Sequence, residues 1–270
     1  MGYPQSFKPV SSKIEDNIVI TSGPFAIKDK LNVGSRMALF KYGTDIIVWS
    51  ALPYGEQVIE ALKLLSDEPN PNVTHLIIPN NQHIMAAESF KVQFPNLKIL
   101  STEQVDLGEN VSVDYKFTNE YGNKVLQSKE LQEIGIKEDS ILNNFEFVYL
   151  STHKNRELMV YEKKSKTLFG ADLIFNVDYD GKSEQYCEKT GYAPDHYQHA
   201  GWSFITRYLN PDSRIGIYLM NRVSVSALPS SKEGLKAVYS LNFDRIVMCH
   251  GNIITQDAKE AFYKVFKDSL

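Results

Sequence analysis

Three apolar runs of strand length each end in a polar turn that presents a histidine. NVTHLIIP (72–79) runs into NNQH and His83, FEFVYLST (145–152) runs into His153, and DRIVMCHG (244–251) turns at His250. Short runs rich in Val, Ile, Leu and Phe, closed by Pro, Asn or Gly, read as buried strands. In α/β sheets ligands tend to bind beyond the carboxyl ends of such strands. A layered α/β chain with its chemistry gathered at one strand end is the expectation.

The remaining pattern agrees. MALFKYGTDIIVWSA (37–51) reads as two strands around a turn at Tyr42-Gly43-Thr44-Asp45, and LKIL (97–100), ELMVYEK (157–163) and KTLFGADLIF (166–175) read as further strands. GEQVIEALKLLSDE (55–68) places Val58, Ile59, Leu62 and Leu65 at helical spacing. IMAAESFKVQF (84–94), WSFITRYL (202–209), SKEGLKAVYSL (231–241) and TQDAKEAFYKVFKDSL (255–270) are also expected to be helices. Strand pairs followed by alternating strands and helices give a mixed α/β layered domain. No repeat or linker divides the chain, so one domain over 1–270 is expected, with a long loop at about 176–199. That loop carries Tyr179, Tyr186, Tyr192 and Tyr197, and is expected to border the site as a mobile lid.

Composition excludes several classes of function. Net charge is −4 with scattered Lys and Arg, so no global basic field favours nucleic acid or anionic lipid. The longest apolar stretches are strand-length, which predicts no membrane span. The start MGYPQSFKPV has no apolar signal core and the two cysteines, Cys187 and Cys249, form no framework, so a cytoplasmic protein is expected.

Individual residues keep plain structural readings. His83 suits the start of the helix at 84–94, His153 suits a surface turn, and His75 lies inside its strand, bonding core or solvent. His196 and His199 are expected on the loop surface, and Cys249 in packing. Asp172 is different: a mid-strand carboxylate beside Leu173, Ile174 and Phe175 needs a buried partner.

In their order, these motifs resemble the metallo-β-lactamase fold, a four-layered αββα sandwich with mixed sheets, over about residues 35 to 255. STHKNRE with His153 is similar to that family's Pro-Gly-His turn, TLFGADLIF with Asp172 to its Gly-Asp strand, and VMCHGNII with His250 to its last His-Gly turn. NNQHIMA places His83 at the last position of a His-x-His-x-Asp-His cluster. The positions five, three and one residues earlier hold Ile78, Asn80 and Gln82, so the chain resembles a ligand-poor branch. The resemblance implies one divalent metal, zinc or alternatively iron, held by His83, Asp172 and His250. His153 would be a fourth ligand or an acid/base group, and Asn80 would donate a hydrogen bond to an oxyanion. The implied function is a mononuclear metal-dependent hydrolase of a small ester, thioester, lactone or phosphoester. The alternative is a degenerate member that binds a small ligand or a protein partner in the old pocket.

Overall fold

The central strands are apolar on both faces, which requires a cover on each side. The computed structural model describes residues 2–4, 7–224 and 228–270. In chain order it forms β1 (Val10–Glu15), β2 (Ile18–Gly23), the short pair β3 (Ala26–Ile27) and β4 (Leu31–Asn32), β5 (Ser35–Tyr42), β6 (Asp45–Trp49), α1 (Glu56–Leu65), β7 (Asn72–Ile77), α2 (Ala87–Gln93), β8 (Lys98–Thr102) and β9 (Tyr115–Phe117). Then come β10 (Val125–Leu126), α3 (Ser128–Ile134), α4 (Asp139–Leu142), β11 (Phe145–Leu150), β12 (Glu157–Glu162), β13 (Thr167–Gly170), α5 (Arg214–Ser224), α6 (Ser230–Ser240), β14 (Arg245–Met248) and α7 (Ala258–Phe266).

One mixed sheet has the order β1-β2-β5-β6-β7-β8-β9 and a second the order β10-β11-β12-β13-β14. Alternate residues of each strand serve different layers. Ile20, Phe40, Ile47, Trp49 and Ile77 of the first sheet meet Phe147, Val160, Phe169 and Val247 of the second. Their neighbours Val19, Leu39, Ile46, Val48 and Leu76 pack on Val58, Leu62 and Phe90 of α1 and α2. Val148, Met159, Leu168 and Ile246 pack on Met220, Leu235, Val238 and Phe262 of α5 to α7. These three apolar interfaces define the four-layered αββα sandwich.

Several expected elements change. The strand at 166–175 stops at Gly170, because the carboxylate of Glu157 takes the backbone N–H groups of Ala171 and Asp172. Leu173 and Ile174 are apolar because they enter the core under α5 to α7, not because they extend the ladder. Asp172 therefore lies beyond the strand rather than within it. The helix at 202–209 is a 3-10 helix, Gly201–Tyr208, and the last helix runs only over Ala258–Phe266 before a 3-10 turn. Strands β1 and β2 and helix α5 were not expected. Among the described residues, no helix is long and apolar enough to cross a membrane.

His75 is buried inside β7, as its spacing requires, with Nδ1 at 2.9 Å from the Thr74 hydroxyl and Nε2 at 3.8 Å from Glu138. Glu138 accepts hydrogen bonds from Lys98 Nζ at 2.6 Å and the Tyr115 hydroxyl at 2.9 Å. Burial alone would raise its carboxyl; Lys98, the Lys137 N–H and Tyr115 reverse this and bring it down to about 2. A carboxyl depressed by folding stabilises above its unfolded value and loses that contribution as pH falls toward the folded value. Screening at half-exposed Lys98 reduces the effect to roughly 1–2 kcal/mol. Between pH 5 and 2, wild-type protein should lose that much more stability than Glu138→Gln in urea titrations; parallel losses would contradict the assignment.

Candidate metal centre

The site forms where strand ends of the two sheets meet. β13 and β14 run parallel with Phe169 opposite Val247 and Gly170 opposite Met248. Two residues further on each are Asp172 and His250, with His250 Nε2 3.1 Å from Asp172 Oδ1. The turn after β7 is drawn to them by backbone bonds: Leu158 N–H donates to the Pro79 carbonyl at 2.7 Å, and Asn81 N–H to the Asn155 carbonyl at 3.4 Å. His83, at the end of that turn, brings its Nε2 to 3.6 Å from the same Asp172 Oδ1. One ligand atom from each of His83, Asp172 and His250 lies within 4.8 Å of the others.

Each residue has its remaining polar atoms committed elsewhere. His250 Nδ1 lies 2.7 Å from the Gly34 carbonyl, which can only accept, so that nitrogen carries the proton. In the neutral ring Nε2 then keeps its lone pair. Phe175 stacks on the same imidazole at 5.1 Å. His83 Nδ1 meets the Ser50 hydroxyl at 3.1 Å, and Ser50 in turn meets Cys249 Sγ at 3.1 Å. Ser50 holds a left-handed φ of +51°, uncommon for a residue with a side chain. Gly251 follows His250 at φ +91°, where a Cβ would collide with the backbone of Asn176.

Asp172 is the most heavily constrained of the three. Its Oδ2 accepts amide hydrogen bonds from Asn80 Nδ2 and Asn155 Nδ2, both at 2.8 Å. Asn80 Oδ1 accepts the Gln82 N–H at 2.9 Å, which orients the amide with its nitrogen toward Asp172. Burial pushes the Asp172 carboxyl up, but the His250 hydrogen bond and His83 charge hold it well below the usual range. Burial pushes the His83 ring down; Cys249 and Asp172 outweigh that and raise it well above its usual value. The fully buried Glu157 behind them is pushed up to about 8 by burial and the Asp172 charge.

The candidate ligands face a cavity of about 800 Å³. Phe25, Leu52, Ile84, Met85 and Phe175 give it apolar walls, and the exposed Lys28 and Lys154 also contribute to its lining.

The geometry places the other expected residues outside the group of converging ligand atoms. His153 is buried off the cavity wall and outside the group of converging ligand atoms. Its Nδ1 accepts the Asn155 N–H at 3.2 Å, and burial pushes the ring down to about 4, so it is neutral and not a surface turn residue. Asn80 is fully buried, off the cavity wall, and its amide nitrogen donates to Asp172. Ile78 packs with the core beneath α1 and α2, and Gln82 is exposed with its amide on Asn81, so the three residues before His83 do not converge. The loop at 176–199 is not a lid over the cavity, since none of its tyrosines lines the wall. Instead Gln185 donates to the Ser35 and Cys249 carbonyls and accepts the Gly251 N–H, while Glu184 pairs with the buried Arg36. His199 is buried rather than superficial, bonded to Thr206 and the Asp178 carbonyl; His196 is partly buried against Tyr186 and Tyr192.

Sequence reading missed Asn155, Glu157 and Ser50. Asn155 had one available signal: it lies in the same strand-end turn as His153.

Two imidazole nitrogens and one carboxylate oxygen are a donor set that suits zinc or ferrous iron and leaves coordination positions open. Asp172 Oδ2 accepts both amides, while Oδ1 faces the two imidazoles.

No protein-family model matches the chain, and no curated protein matches it by sequence. Solved structures do. The DIM-1 metallo-β-lactamase exposed to ceftazidime is similar at 14% identity and a TM-score of 0.56, covering 97% of this chain and 98% of that one. A metallo-β-lactamase from Pontibacter korlensis is similar at 13% identity and a TM-score of 0.56, covering 97% and 100%. One from Hirschia baltica is similar at 8% identity and the same TM-score, covering 96% and 98%. The chain has the metallo-β-lactamase fold.

Partners that orient metal ligands typically contribute about 10- to 100-fold to affinity. Asn155→Ala should weaken zinc binding by about that factor in a chelator competition, without changing stoichiometry. Unchanged affinity would show that the amide does not position Asp172.

Proposed function

We propose that the protein is a mononuclear metal-dependent hydrolase of a small ester, thioester, lactone or phosphoester. The supporting observation is the convergence of His83 Nε2, His250 Nε2 and Asp172 Oδ1 while every other polar atom of those side chains is engaged. A zinc ion bound there supplies Lewis acidity to a carbonyl or phosphoryl oxygen and makes water nucleophilic near neutral pH. The chain's own residues supply the rest. Asp172 and the two histidines hold the ion, and Ser50 and the Gly34 carbonyl fix the two rings. Phe25, Leu52, Ile84 and Phe175 exclude bulk water from the reacting group. Lys28 and Lys154 attract an anionic substituent.

Elemental analysis of protein purified without added metal or chelator tests this reading. At most one equivalent of zinc or iron is expected, lost in Asp172→Ala and His83→Ala and retained in His153→Ala. Two tightly bound equivalents would refute the mononuclear centre. A metal-free protein inert toward all four substrate classes would leave the ligand-binding alternative in its place.

A further inference from the structure

The 3-10 helix Gly201–Tyr208 is inverted relative to an ordinary surface helix. Its small polar residues face inward: the Ser203 hydroxyl donates to the Lys30 carbonyl at 2.8 Å and accepts the Asn32 N–H at 2.9 Å, and Thr206 meets His199 Nδ1 at 3.0 Å. Its large apolar residues face out, with Trp202 70%, Phe204 53% and Ile205 44% exposed. Helix α5, packed beside it, repeats the arrangement. Gly216, Met220 and Ser224 turn inward at four-residue spacing, while Ile215, Tyr218 and Leu219 form an exposed stripe that ends at Arg222. Single exposed apolar residues need no explanation, but six on two neighbouring helices point to an interaction surface.

The segments that carry this face border the cavity. The Ser203 bonds tie the 3-10 helix to the β3–β4 hairpin, whose Ile27 and Lys28 line the cavity. At the other end Val223 of α5 also lines it, and its carbonyl accepts the Lys154 N–H at 3.1 Å.

Charge selects the partner. The segments that carry the face expose Lys28, Lys30, Lys154, Arg214 and Arg222. The same segments carry two acids, Asp29 and Asp212, and Asp212 pairs with Lys264, so the cations outnumber them. On a chain of net charge −4, this is a local basic field that whole-chain composition conceals. Self-association through one shared patch would press these cations against their copies. An anionic lipid surface meets both halves: apolar side chains enter the headgroup–acyl boundary while Lys and Arg pair with headgroups.

We propose that this face docks the protein on an anionic lipid surface, from which the largely apolar cavity takes an amphiphilic ester. The substrate class rests on the hydrolase reading; the docking does not. Flotation of the full chain with phosphatidylcholine vesicles, with and without phosphatidylserine, tests the docking without metal or turnover. Wild-type protein should bind the phosphatidylserine vesicles. Trp202→Ser/Phe204→Ser, folded by circular dichroism, should bind about tenfold more weakly or less. Arg214→Glu/Arg222→Glu should lose the preference for phosphatidylserine. Wild-type protein that stays in solution, or variants that float like wild type, would overturn the proposal. So would sedimentation equilibrium showing a dimer that the serine variant dissociates. In protein that binds vesicles and contains metal, a long-chain ester in phosphatidylserine vesicles should be cleaved faster than a short soluble ester. Equal rates would overturn the substrate class alone, and absence of any hydrolysis would count against the hydrolase reading instead.

Discussion

The carboxylate of Asp172 is nearly buried, and a charge in that position is unfavourable unless its lone pairs are used. Its partners come from distant parts of the chain. Asn80 arrives from the turn after β7, Asn155 from the turn before β12, and Glu157 from β12 itself holds the Asp172 backbone. His83 and His250 face the remaining oxygen. The carboxylate thus fastens a turn of the first sheet to the strand ends of the second. The chemistry it can support follows from which oxygen is left over.

The same principle gives the segment at 176–199 a purpose other than covering the cavity. Arg36 is fully buried at the end of the first sheet, where a guanidinium needs several acceptors. The Ser22 hydroxyl and the Met248 and Gly251 carbonyls supply some, and Glu184 supplies the countercharge. With Gln185 on either side of His250, these bonds brace the β14 turn from behind. Tyr186 bonds the Phe25 carbonyl, securing the hairpin that forms another cavity wall.

Much of this was legible in the sequence. His83, Asp172 and His250 stood out because apolar strands ending in polar turns fix where side chains emerge, and two of those strands lie side by side. The mixed α/β layering followed from apolar strand runs alternating with helical spacing, whereas the four-layered αββα order was what the resemblance of the motifs implied. Spacing along a motif ignores strand alternation, which puts Ile77 toward the second sheet and Ile78 toward α1 and α2. Glu157 was invisible, and Asn155 showed only its place in the His153 turn, because a turn amide and a strand carboxylate are common and their importance exists only in three dimensions. Helix α5 was hidden for a different reason, since its apolar stripe points outward and its inward positions are Gly, Met and Ser.

The central claim is that one cation belongs between three specific atoms. Crystals grown with zinc and measured on both sides of the zinc absorption edge test it directly. One anomalous peak per chain is expected, within bonding distance of His83 Nε2, Asp172 Oδ1 and His250 Nε2, with both asparagine amides still on Asp172 Oδ2. A peak beside His153, or a second peak on Asp172 Oδ2 with the amides displaced, would contradict it.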